Sequence, residues 1–309
     1  MRKSWPKALI YGIVSSLFFS VTYIINNSMA RAGGDWLWSS SLRFLIMLPI
    51  LLVLNAASGG MGKVWEEIRI NSGKWILWST VGFGLFYAPL SFASAYGPSW
   101  MVAGTFQITI LAGALETPLF LEKDGSRKKI PAKLLPAFLL MLAGVFLLQV
   151  ESMRGSLKNG LCFAVPVLAS AFAYPLGNRK TMEVCEERLT TLQRVLAMTL
   201  CSLPFWLLIA VCGFVRSGLP PASQVAQSAV VAVFSGVIAT AVFFHATQLV
   251  QDRPDRLAMV ESTQCGELIF SLLGGILLLK DPWPDLTGWT GFVLIIAGMI
   301  FNSFLTSRK

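Results

Sequence analysis

Ten long apolar runs, at 8–29, 36–54, 75–96, 99–121, 134–150, 160–176, 189–214, 226–250, 257–279 and 286–306, leave this chain few ways to fold. Each approaches the ~20 residues that a helix rising about 1.5 Å per residue needs to cross about 30 Å of hydrocarbon. Lipid offers backbone N–H and C=O groups no partner, so such runs must be helical, and barrel strands would alternate polar with apolar residues instead. Of the 309 residues, 55% are hydrophobic and 13% charged, too few charges to coat a soluble exterior of this size. The expected fold is an all-α integral membrane protein with ten transmembrane helices.

Charge in the connections sets the orientation. With a cytoplasmic N-terminus, eighteen Lys and Arg lie on the inner side, among them Arg2, Lys3, Lys123, Arg253, Arg308 and Lys309. Five lie outside: Arg31, Arg154, Lys158, Arg216 and Lys280. Both termini are therefore expected in the cytoplasm of a bacterial plasma membrane. The formal charge of +9 is spread over short connections rather than one basic face with interleaved aromatics, which points to anionic lipid headgroups and away from nucleic acid. The basic head and apolar body of "MRKSWPKALIYGIVSSLFFSVTYIINNSMA" imitate a signal peptide, but the body is longer than an h-region of about 7–15 residues and more spans follow, so it is expected to be a retained first span. Five cysteines, none at metal-knuckle spacing, are read as small apolar side chains, and no metal or cofactor is expected.

The halves of the chain repeat. Tyr23, Asn27 and Arg43 recur as Tyr174, Asn178 and Arg194, 151 positions on, while Gln107 and the pair Lys123-Asp124 recur as Gln264 and Lys280-Asp281, 157 positions on. The fifth and tenth runs share "FLLMLAG" and "FVLIIAG". One five-span unit, 1–152, thus reappears as 153–309. Five is odd, so the second copy enters the membrane from the opposite side, the inverted repeat of many secondary transporters.

The runs "AGTFQITILAGALETPLF" (103–120) and "AMVESTQCGELIFSLLGGILLLKDP" (258–282) resemble the fourth and ninth spans of the multidrug resistance efflux transporter family, EamA-like members of the drug/metabolite transporter superfamily. The resemblance covers essentially the whole chain. It implies secondary transport of a small organic molecule and leaves the substrate open. Two departures stand out. Four-span relatives carry a glutamate in the first span, whereas spans one and six here have no Asp or Glu, and where many relatives place Gly-Glu the ninth span has Gly274-Gly275.

Carboxylates inside an apolar run are costly and are functional candidates. At about 100° per residue, Glu261, Gln264, Glu267, Ser271 and Gly275 share one face. Glu267, about ten residues into its span, lies near the midplane and is the candidate for binding substrate or a coupling proton. Glu261 lies shallower, level with His245 on the antiparallel eighth span, and the two could meet as a relay or a structural pair. Gln107 and Gln264 suit a polar substrate or interhelical adhesion equally. Glu116, before Thr117-Pro118, fits a gate or plain interfacial solvation, the latter being the simpler reading. Arg43 and Arg194 would most simply snorkel to their interfaces, or else pair with a carboxylate or attract an anionic substrate. Tyr23, Asn26, Asn27, Tyr174 and Asn178 would suit a cavity wall. The 10 Trp and 21 Phe are expected mainly in the interfacial belts and facing lipid.

Missing motifs narrow the class. No phosphate-binding G-x-x-x-x-G-K-[S/T] loop is present, so a gradient rather than ATP would supply energy, and neither H-E-x-x-H nor G-x-S-x-G occurs. The expectation is a non-enzymatic secondary exporter, monomeric or homodimeric. An uncoupled facilitator or channel is the alternative.

Overall fold

A computed structural model describes residues 5–121, 126–130, 132–154, 156–186, 188–250 and 254–307. Arg2, Lys3, the Lys123-Asp124 pair, Arg253, Arg308 and Lys309 lie outside them. The described residues form an all-helical bundle with no strand. Helix α1 is Trp5–Arg31, α2 Trp36–Ala57 and α3 Met61–Ile70. Helix α4 runs through three segments, Ser72–Ser79, Thr80–Leu85 and Phe86–Ala93, the middle one wound as a π-helix. Helix α5 is broken into Ser99–Phe106 and Thr109–Leu115; α6 is Leu135–Met153, α7 Leu157–Cys185 and α8 Thr191–Ser217. Helix α9 runs Ala222–Val230, Val231–Ala239 (again π) and Thr240–Gln248; α10 is broken into Pro254–Ser262 and Cys265–Leu279; α11 is Leu286–Ser307.

Nine helices among the described residues are long and apolar enough to cross a membrane; eight end within four residues of an expected run, while α7 continues to Cys185, nine residues past the expected end at 176. The fourth run departs. Its apolar helix is Ser99–Leu115, shorter than the expected 99–121, because Thr117-Pro118 starts a 3₁₀ turn that ends it. Helix α3 was not expected. Its Val64 and Glu67 turn inward while Lys63 and Trp65 stay exposed, and Arg188 grips the buried Glu67 carboxylate at 2.7 and 3.0 Å, tying α3 to the start of α8.

Among the described residues, side-chain caps mark three helix starts, with Ser156 accepting the Asn159 N–H at the head of α7. Asp35 accepts the Leu37 N–H at the head of α2, and Thr190 and Gln193 form a reciprocal capping box at α8. The outer surface carries exposed Val53, Phe146, Leu208, Leu277 and Val293, a coat suited to acyl chains and not to water. Where helices touch, small residues let the backbones approach: a Cβ on Gly144 of α6 would sit 2.6 Å from the Gly291 carbonyl oxygen of α11. The tryptophans depart from expectation. Trp65 and Trp283 are exposed, but Trp75, Trp100 and Trp206 are fully buried, where their bulk fills gaps between helices.

Candidate functional site

A cavity of about 560 Å³ occupies the centre of the bundle, inside the ~300–1,000 Å³ range of small-molecule sites. It runs from mid-bundle, at Tyr23, Phe106 and Glu267, to the end where α7 and α11 finish and α8 and α10 begin, at Arg179, Thr306, Arg194 and Glu261. A second hollow shares Arg179, Arg194 and Phe244 with it and continues past Lys128, Glu183, Glu186 and Thr191, so the mouth is broad and lined by charges of both signs.

The opposite end is laced shut, and none of the lacing residues lines the cavity. Asp281, just beyond α10, pairs with Arg31 of α1 and accepts the backbone N–H (3.0 Å) and hydroxyl (2.7 Å) of Ser99 at the head of α5. Gly275 makes this possible, since a side chain there would strike both Asp281 and Ser99. Trp100 donates to the Pro282 carbonyl at 3.2 Å, Trp38 to the Gly218 carbonyl at 2.9 Å, and Gln224 bridges the Asp35 carbonyl and Ser39 hydroxyl at 2.8 Å each.

The breaks in α5 and α10 fall beside the cavity, at Gln107 and Gln264. Across each break the backbone closes with shorter-range bonds, such as Gln107 N–H to Gly104 and Glu267 N–H to Gln264. The Gln107 amide takes the Ala103 carbonyl at 3.3 Å, and Gln264 reaches the Ser15 hydroxyl of α1 at 3.3 Å. Half-broken helices of this kind present backbone and polar groups to a cavity at membrane depth, where only a wall shielded from lipid can tolerate them.

Glu267, in the first turn after the α10 break, faces the cavity half-buried, and the Tyr23 hydroxyl donates to its Oε2 at 3.4 Å. Span one thus lacks a carboxylate of its own but holds one from α10. Four aromatic rings gather around it. Phe86 and Phe106 lie 4.7 and 5.9 Å from Tyr174, and Tyr23 lies 6.4 Å from Phe106.

Arg43 does not snorkel. It is 8% exposed; its guanidinium donates to the hydroxyls of Thr22 (3.2 Å) and Ser235 (3.3 Å) and lies 4.2 Å over the Tyr87 ring. Arg194 also lines the cavity, and the Nε of each arginine is buried without an acceptor among the described residues.

Other expectations are corrected. Asn27 does not reach the cavity: it clamps the carbonyls of Ser94 and Gly97 at 2.8 and 2.9 Å, holding α1 to the turn after α4. Its counterpart Asn178 does line the cavity while bonding the Tyr174 carbonyl at 2.9 Å. Asn26 receives the Tyr87 hydroxyl and lines a smaller hollow toward the sealed end, not the central cavity. His245 and Glu261 make no contact; His245 is exposed with its ring edge-on to Tyr11 at 5.3 Å, while Glu261 stands at the mouth. Glu116 is not solvated, being 6% exposed with Oε2 buried and unpartnered among the described residues, so interfacial solvation does not describe it. Ser271 continues the polar stripe but is buried below the cavity. The sequence places Arg179 among the connection charges and offers an aromatic subset for stacking on a flat or cationic substrate without saying which, since no spacing separates cavity-facing from lipid-facing Phe.

The chain matches the family described as "EmrE: Putative multidrug resistance efflux transporter" over residues 6–308. It belongs to that family. This member is thus a multi-span protein of a membrane transporter family. It is 50% identical to "Uncharacterized protein YjlA" of Bacillus subtilis (strain 168), over 98% of this chain and 96% of that one. It is 46% identical to "Uncharacterized 42.1 kDa protein in intracellular alkaline protease 3'region" of Shouchella clausii, over 86% of this chain and 71% of that protein. A solved structure described as "Crystal structure of protein" superposes with a TM-score of 0.62 over 98% of both chains at 16% identity, a likeness of fold alone.

Proposed function

We propose that this family member is a secondary active exporter of a small organic molecule, working by alternating access in the plasma membrane with both termini cytoplasmic. The observation that carries the reading is a central cavity with a membrane carboxylate, open at one end and laced shut at the other. That is what one half of an alternating-access cycle requires: the site faces one compartment while bonds at the far end exclude the other.

The reading that 1–152 and 153–309 are inverted five-helix copies is supported by reciprocal packing. Helix α2 packs on α8 and α6 on α11, each with its counterpart, while α1 packs on α9 as α7 packs on α4. The π segments begin at Thr80 and Val231, 151 positions apart, and the breaks fall at the counterparts Gln107 and Gln264. Two like halves have two near-equivalent packings, so a small energy separates the states. The fourth span crosses despite its short helix because its ends are carried by the Pro98 turn and the 3₁₀ turn at Thr117.

Glu267 is the coupling group in this reading, binding a proton in one state and releasing it in the other, with Tyr23 as its hydrogen-bond partner. Purified protein in liposomes tests this. Uptake of a ligand against its gradient, driven by an imposed proton gradient and abolished by a protonophore, is the expected result, and Glu267→Gln should leave only downhill exchange. Strictly downhill flux from the unaltered protein would make it a facilitator instead.

A further inference from the structure

We propose that the molecule carried in this cavity bears an acidic group, a carboxylate or phosphate, attracted by the uncompensated charges of Arg43 and Arg194, with its flat body among Phe86, Phe106 and Tyr174. The inference deepens the transport reading and rests on it for the word "carried", but the binding claim stands on the charges alone.

Five charged side chains line the cavity: Arg43, Arg179 and Arg194 against Glu261 and Glu267. Among the described residues, none of the five makes an ion pair. The two signs are not equivalent. A carboxylate can take up a proton and become neutral, whereas a guanidinium stays charged at any pH the protein meets. The cavity therefore always keeps its positive charges and can lose its negative ones. Arg179 has company, since its guanidinium donates to the Gly113 carbonyl and feels the nearby Glu116. Among the described residues, Arg43 and Arg194 pair with no carboxylate. Arg43 is held by two hydroxyls and an aromatic face, neutral partners that fix its position without cancelling its charge.

Each of these two arginines also keeps a buried Nε–H with no acceptor among the described residues. A buried charged donor left unmade is expensive, and the planar guanidinium fork suits the oxygens of a carboxylate or phosphate. Tyr174 lies within electrostatic reach of both arginines and of Glu267, so its ring stands where acid and bases meet. Its neighbours Phe86 and Phe106 supply apolar faces for a flat body. A simple organic cation would gain Glu267 and Glu261 but meet three guanidiniums in the same cavity.

The test uses the purified full-length protein and three ligands on one ring system: 2-naphthoate, 2-naphthyl phosphate and 2-naphthylmethylammonium. Binding is followed by calorimetry, and flux of each compound is measured separately in liposomes. One or both acids should bind more tightly than the amine, the stronger of the two revealing whether carboxylate or phosphate fits better. Arg194→Gln, which breaks no hydrogen bond seen in the structure, should weaken acid binding by roughly ten- to a hundredfold. Arg43→Gln should do the same where it folds. Lys158→Gln, an exposed change outside the cavity, should leave binding unaltered. Preference for the amine, binding of none of the three at millimolar concentration, or acid affinity indifferent to Arg194→Gln would overturn the inference. Transport of the amine with no acid binding would sink this inference and spare the exporter. Arginine-dependent acid binding without flux would do the reverse.

Discussion

Asp281→Asn should open the sealed end. The Asp281 side chain is wholly enclosed and serves three donors at once: the Arg31 guanidinium, the Ser99 backbone N–H and the Ser99 hydroxyl. The isosteric amide can still accept through one oxygen but presents an NH₂ where the other oxygen stood, and its charge is gone. Hydrogen bonds to a charged group contribute about 1.5–3 kcal/mol each, and the pairing with Arg31, itself 42% exposed, adds at most about 1 kcal/mol. Arg31 keeps its bond to the Leu279 carbonyl at 2.6 Å, so part of the tie survives. A net loss of about 2–3 kcal/mol from the sealed state follows, equivalent to roughly a 30- to 150-fold shift between conformations. A protein resting almost wholly sealed would then populate both states comparably. Spin labels on Tyr96→Cys and Trp283→Cys, both exposed beyond the cavity at this end, in a background without the five native cysteines, read the change as a distance distribution. A second, longer distance should appear in Asp281→Asn. A single unchanged distance, with or without a lower melting temperature, would refute the reasoning and leave Asp281 as a structural staple only.

Three further outcomes are expected. Asn27→Ala frees the Ser94 and Gly97 carbonyls and should cost about 1–3 kcal/mol of stability, seen as a lower melting temperature, while ligand affinity measured on the folded protein stays unchanged because Asn27 does not line the cavity. Gly144→Leu places a branched side chain against the Gly291 carbonyl and the Ile295 backbone and should separate α6 from α11, lowering the yield of monodisperse protein in detergent. His245→Ala should leave the pH profile of transport as it was, since His245 meets Tyr11 and not Glu261; an altered profile would restore it as a proton relay.

The apolar runs made the spans legible because crossing lipid leaves one backbone solution, and the run ends track the helix ends closely. Glu267 was equally visible, since a carboxylate amid "CGELIF" has no cheap place except a cavity. What stayed hidden depended on the direction a side chain takes after packing. Arg43 sits seven residues into its run, where snorkelling and turning inward look identical until Thr22, Ser235 and Tyr87 are known to stand beside it. Asn27 and Asn178 hold matching places in the repeat, yet the first is consumed by the closed end and the second faces the open one. A conformation that is open on one side must treat counterparts differently, and no single sequence pattern can express that. The π segments and the breaks at Gln107 and Gln264 were also invisible, because glycines like those inside the π segments, Gly82, Gly84 and Gly236, are also common in regular spans, and neither break has proline or glycine at its point of departure.

The most direct test is two-sided accessibility of one cavity position. Thr109→Cys, in the cysteine-free background, places a single thiol on the cavity wall. An impermeant maleimide should reach it from the cytoplasmic side of sealed vesicles at rest, and from the opposite side in a fraction that grows with Asp281→Asn. Labelling from one face under every condition would mean the cavity never changes sides, contradicting the transport cycle.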